Sequence, residues 1–316
     1  MRIRFAALSL AAVAACTSTD TDSATRTADT AASAVRADSG LRLVATIEGL
    51  SGPESAILDS AQDVWFVTNI NGPVGAKDNN GFISRVTADG AVDSLRFIAG
   101  GRGGVTLHAP KGPAIVGDTL WVADIDALRG FDTRTGAALT TIEFGERAAF
   151  LNDVAIGPDG AIYVTDTGVR FGEGGQMTPS GTDQVFRVAA NRSVTTAVKA
   201  DSLVAPNGIV WDAAGNRFVI LSFQSPTLFH WTVGDSVPHP FGSAGGGNDG
   251  AELAGGALLL TSWSDSSLLA VEGGTPRRLA TGLPGPADIG VDRRRNRVAV
   301  PLLPADRVEI YELPGR

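Results

Sequence analysis

The feature that most constrains this chain is a hairpin that it repeats. The stretch Ala205–Ser222 reads as a buried strand, a tight turn and a second strand, with Asn207 at the mouth of the first strand. The unit returns five more times with the polar residue changed: Glu54 in GPESAILD, Lys111 in APKGPAIV, Asn152 in FLNDVAIG, Asp249 in GNDGAELA and Asp288 in GPADIGVD. Successive copies lie about 40 residues apart, stretching to about 55 where extra residues intervene. Forty residues suit one four-stranded unit, and repeats of this length mean a solenoid or a propeller.

Strand bookkeeping favours the propeller. The last repeat, from Gly285, supplies three strands where the others supply four. Leu41–Ile47 is a strand by its β-branched content and has no hairpin partner of its own. Pairing it with the last repeat removes both exposed edges. The prediction is an all-β, six-bladed propeller over residues 40–316, its last blade closed by the N-terminal strand. Turns are expected at Asp89-Gly90, Gly117-Asp118 and Pro158-Asp159-Gly160. In such a wheel the start of a first strand and the end of a second share a face. The six polar residues, and the insertions 70–81 and 168–183 that follow second strands, should therefore meet at one mouth of the channel.

The first 16 residues carry Arg2, Arg4 and an apolar run from Phe5 to Ala15, which predicts a signal peptide. The run ends in Val-Ala-Ala-Cys16, similar to the lipobox of bacterial lipoproteins, so Cys16 is the expected lipidated residue. Residues 17–39 are Thr, Ser, Ala and Asp with few large apolar groups, a flexible tether. Cys16 is the only cysteine, so no intrachain disulfide can form. Thr17, not an acidic residue, follows it, which favours the outer membrane facing the periplasm over the inner membrane. A monomer is expected, touching membrane only through Cys16. The net charge of −8 argues against nucleic acid as a partner.

The ring of polar residues holds three carboxylates, two carboxamides and one ammonium, without histidine or cysteine. Oxygen ligands suit a hard divalent cation rather than structural zinc, and close carboxylates call for counter-charge. Equally, Asn and Asp at strand ends cap turns. Both readings stand on the residues alone. His108, His230 and His239 show no metal spacing, with His108 the nearest to the ring. Asp124, Asp126 and Asp166 end second strands and should satisfy turn amides. Trp65, Trp121, Trp211 and Trp263 should pack between blades. Ser222 and Ser262 lack a nearby histidine, which argues against a serine hydrolase.

The six hairpins, with GPE at the start, PNGI in blade four and NDG in blade five, resemble the senescence marker protein/gluconolactonase family over about residues 41 to 314. The resemblance implies one divalent cation held by Glu54, Asn207 and Asp249. Ca2+ is the expected ion, with Mg2+, Mn2+ or Zn2+ as alternatives. It implies Asp249 as general base and Asn152, in LND, beside substrate and metal. The family's substrate-gripping arginine falls on Phe150, a departure that speaks against sugar-lactone recognition. Lys111 is an added cation, expected either to grip the substrate or to pair with Glu54 or Asp288. Asp288 is expected to be structural. The implied function is metal-dependent hydrolysis of a small-molecule lactone or related ester. The alternative is a non-catalytic propeller that binds a ligand or a protein on the cell envelope.

Overall fold

A computed structural model describes residues 40–172 and 175–315 of the chain. The signal peptide 1–16 with Cys16, and the tether 17–39, lie outside the described residues. Six four-stranded antiparallel sheets surround a central channel, each built from successive strands except the third, which a separate small hairpin interrupts, and the last, which joins both ends of the described chain. Their inner strands are Pro53–Asp59, Pro110–Val116, Leu151–Ile156, Pro206–Asp212, Asn248–Ala254 and Gly290–Asp292, and each packs against its neighbours in a closed ring. The last sheet borrows the strand Arg42–Ile47, which pairs with Arg307–Glu312 in the register Leu43 to Tyr311 and Ile47 to Val308. The predicted closure is therefore present. Among the described residues, helical structure is confined to the short turns Gly145–Arg147 and Leu303–Ala305, and no helix is long and apolar enough to cross a membrane.

The core is divided among the blades. Each pair of neighbouring sheets shares its own apolar cluster. Between blades three and four, Tyr163, Phe218 and Trp231 are buried, with ring centroids 4.5 Å apart for the first pair and 5.9 Å for the second. A fully buried large apolar side chain contributes about 2 kcal/mol, so the wheel is held by many such contacts at six seams.

The first strands of blades one to five share one irregularity. Each slips register beside its polar residue: between Pro53 and Ser55, Pro110 and Pro113, Leu151 and Val154, Pro206 and Ile209, and Asn248 and Ala251. A bulge of this kind re-aims a side chain. Threonines on the second strands hold it: Thr68, Thr165 and Thr261 hydroxyls accept the amides of Ser55 (2.9 Å), Asp153 (2.9 Å) and Gly250 (2.8 Å). Two of these hydroxyls also donate to the next blade, Thr165 to the Asn207 carbonyl at 2.7 Å and Thr261 to the Ala287 carbonyl at 2.9 Å. Glycine follows the polar residue where strands crowd most: a Cβ at Gly208 would overlap the Asp249 carbonyl. Asp124 and Asp166 accept loop amides, from His108 and Ala109 and from Ala149 and Phe150, as their strand-end positions predicted. Asp126 instead pairs with Lys77.

Candidate metal and substrate site

A cavity of about 220 Å³ opens at the channel mouth, and Glu54, Lys111, Asn152, Asn207 and Asp249 all line it. The bulges thus bring five of the six polar residues together. Asp288 is separated from them, which corrects the expected six-membered ring. The bridge from Pro286 to Leu302 aligns Pro286 with Pro53, Pro110, Leu151 and Pro206, so Ala287 takes the mouth position in blade six. Asp288 falls one residue later, where Asp153 stands in blade three and the side chain points down the channel. Its carboxylate accepts the Ser55 hydroxyl and faces the deeper channel beside Asp153 and Glu252. Leu303 lines the mouth in its place.

Four oxygens around the cavity are buried and have no hydrogen-bond partner: Glu54 Oε2, Asn152 Oδ1, Asn207 Oδ1 and Asp249 Oδ1. Native proteins leave few such atoms, and each costs free energy unless something satisfies it. Neighbouring atoms are fixed. Asn152 Nδ2 donates to Thr167 Oγ1 at 3.1 Å, and Trp263 Nε1 donates to Asp249 Oδ2 at 2.8 Å. The free atom on Asn152 and on Asp249 is therefore defined. Burial pushes the Glu54 carboxyl well above the usual range, and the Asp249 charge adds to it. Burial raises Asp249 to about 7, against the pull of hydrogen bonds from Trp263 and Asn207. Two carboxylates and two carboxamides form a hard donor set, which fits a Ca2+-, Mg2+- or Mn2+-type ion better than zinc. Among the described residues, no three His, Cys, Asp or Glu side chains group to hold a metal. Here the asparagine oxygens would have to complete the shell.

Lys111 is buried, and of its two expected roles the ion pair with Glu54 or Asp288 gives way to other contacts. Its Nζ donates to the Ala109 carbonyl at 2.8 Å and lies 4.0 Å from the centre of the Phe150 ring. A carbonyl and an aromatic face satisfy the ammonium locally, so it need not reach a carboxylate. Burial lowers Lys111 to about 8, with the Glu54 charge acting the other way.

Both insertions overhang the mouth, as predicted. Ile70 and Val74 come from the first. The second forms its own hairpin, Val169–Phe171 with Met177–Pro179, and contributes Val169, Phe171 and Met177. Trp263, expected only to pack between blades, lines the cavity and aims its N–H at Asp249. Phe223 packs edge-on against it, with centroids 5.9 Å apart. Both residues directly follow second strands, the positions occupied by the insertions elsewhere, which was the available sequence signal. His108 is a loop histidine whose Nδ1 accepts the Asn79 amide at 3.0 Å.

The fold and site define a six-bladed propeller with an acidic and amidic mouth. Residues 80–227 match the family described as SMP-30/Gluconolactonase/LRE-like region, a span that contains Lys111, Asn152 and Asn207. No curated protein matches the chain. A gluconolactonase from Xanthomonas campestris has a TM-score of 0.66 at 18% identity, covering 87% of this chain and 89% of that one. Virginiamycin B lyase from Staphylococcus aureus has a TM-score of 0.59 at 12% identity, covering 87% of this chain and 100% of that one. At these identities the likeness is one of fold.

Proposed function

We propose that the chain is a divalent-metal-dependent hydrolase of lactones or related esters, working at the channel mouth. The observation that carries this reading is the set of buried, partnerless oxygens on Glu54, Asn152, Asn207 and Asp249. These residues would hold the ion, with Ca2+ first among the candidates. The chemistry such an ion supplies when bound is polarisation of an ester carbonyl and acidification of water. Asp249 acts as general base: its carboxylate takes a proton from the attacking water, and the N–H that Trp263 donates to Oδ2 fixes its orientation. The new C–O bond forms at the acyl carbon, the ring or ester C–O bond breaks, and the alcohol oxygen receives that proton. Asn152, oriented by Thr167, borders the acyl group. Lys111, buried at the edge of the same cavity, adds positive potential where the oxyanion develops. The matched family span and the gluconolactonase-like fold support this reading.

The test is metal analysis of the purified propeller followed by a lactone panel with and without chelator. The expected result is bound metal and hydrolysis that chelation abolishes. Turnover that survives both chelator and Asp249→Ala would overturn the proposal. We further propose that a lipid on Cys16 holds a monomeric protein on the periplasmic side of the outer membrane. Labelled palmitate should enter the wild type and not C16S.

A further inference from the structure

We infer that the substrate is an apolar lactone or ester with an aromatic or alkyl acyl group, not a polyhydroxylated sugar lactone. The inference rests on reading the mouth cavity as the substrate site. Beyond the partnerless oxygens, the cavity walls are hydrocarbon: Val74, Phe150, Phe171, Met177, Phe223 and Trp263. Phe150 and Phe171 pair at 4.8 Å between centroids, and Phe223 and Trp263 at 5.9 Å, so two aromatic pairs border the site.

The donors that a sugar's oxygens would need are already engaged, and the partnerless acceptors are those assigned to the ion. Trp263 Nε1 serves Asp249, and Asn152 Nδ2 serves Thr167. The Thr167 hydroxyl donates to the Pro206 carbonyl at 3.0 Å, and Lys111 Nζ donates to the Ala109 carbonyl at 2.8 Å. Among the described residues, Lys111 is the only cation lining the cavity. Sugar hydroxyls brought against these walls would lose water without gaining partners, which is unfavourable for each hydroxyl buried. An aromatic or alkyl group loses nothing of that kind and finds ring edges and faces to pack on. Met177 gives the second independent sign. It is 47% exposed on the overhanging hairpin yet lines the cavity, an adaptable apolar side chain placed where a bound acyl group would cover it.

The experiment uses the full chain supplied with Ca2+ and has two arms. The first compares kcat/KM for dihydrocoumarin, an aromatic lactone, with that for glucono-δ-lactone; a preference of about a hundredfold for dihydrocoumarin is expected. The second measures binding of hydrolysis-resistant lactams by calorimetry, 3,4-dihydro-2-quinolinone against gluconolactam. About tenfold tighter binding of the aromatic lactam is expected. Met177→Gln, at an exposed position that does not threaten folding, should narrow both preferences. Equal or reversed preference, or failure of the aromatic lactam to bind, overturns the inference. If the lactams discriminate as expected but neither lactone is hydrolysed, the apolar site stands and the hydrolase proposal falls. If both lactones are hydrolysed equally well, the hydrolase stands and this inference falls.

Discussion

The two ends of the channel treat their charges in opposite ways. At the far end, the turns that join first to second strands carry acids that meet arginines. Asp63 bonds Arg295 at 2.6 Å, Asp292 bonds Arg295 at 2.8 Å, Asp159 bonds Arg187 at 2.6 Å and Asp212 bonds Arg217 at 3.2 Å. At the mouth, Glu54 and Asp249 are buried without an arginine, and each keeps one oxygen unpartnered. Asp63 and Asp159 and their arginines are reached by solvent, where such pairs are worth little each, while Asp292 is buried but keeps Arg295 as its partner. The mouth set destabilises the fold until something binds it. Charge therefore serves the turns at the far end, whereas Glu54 and Asp249 at the mouth are left for ligand capture.

The sharpest way to break this contrast is to remove a carboxylate at each end. Asp249→Ala should lower kcat/KM about a thousandfold and abolish metal uptake, because base and ligand go together. Asp212→Ala, in a far-end turn, should leave kcat/KM within about twofold of wild type. Equal losses in the two variants, read by steady-state kinetics, would show that the ends do not differ as described. Next in size is Gly208→Ala. Its Cβ would overlap the Asp249 carbonyl, so overpacking should cost about 3 kcal/mol in denaturant unfolding and displace the base as well. Smaller still is Trp263→Phe, which keeps the ring and removes the N–H held by Asp249 Oδ2. A drop of about 10- to 100-fold in kcat with little change in Tm is expected, as for groups that orient metal ligands. A Tm loss without a kcat loss would make Trp263 a packing residue after all.

Six blades, the closing strand and the shared mouth were legible because they follow from local signals. A hairpin with a polar residue at a fixed place, turn glycines and a count of strands suffice. The exceptions depend on tertiary detail. Asp288 sits in a matching motif, but the bridge from Pro286 to Leu302 puts Ala287 in the mouth position and leaves Asp288 one residue later, below the mouth. Lys111 was expected to grip the substrate or to pair with a carboxylate; the pairing is absent because a carbonyl and a ring, which sequence does not place, lie within reach of Nζ. Trp263 repeats the pattern of the packing tryptophans only loosely. Trp65 lies inside a second strand, whereas Trp263 lies just past the end of one and so reaches the cavity. The apolar hairpin in 168–183 was written as alternation in VRF and MTP, short enough for the intervening glycines to obscure it.

The smallest expected effect lies at the far end, and its sign follows from linkage. Hydrogen bonding by Arg295, helped by the charges of Arg295 and Arg294, holds the Asp63 carboxyl below the usual range. A carboxylate lowered in the folded state contributes stability that is present above its unfolded pKa of about 3.9 and disappears as pH falls through the lower folded value. Asp63→Asn removes the charge while keeping the left-handed turn, since Asn tolerates the φ of 57° that Asp63 adopts. The variant should lower Tm by no more than about 2 °C at pH 7. The difference should vanish when pH falls below the folded pKa and shrink in high salt, because both partners are reached by solvent. A larger, salt-insensitive loss in melts across pH would mean that the far-end pairs are structural locks. The contrast between a water-screened underside and a ligand-dependent mouth would then fail from the other side.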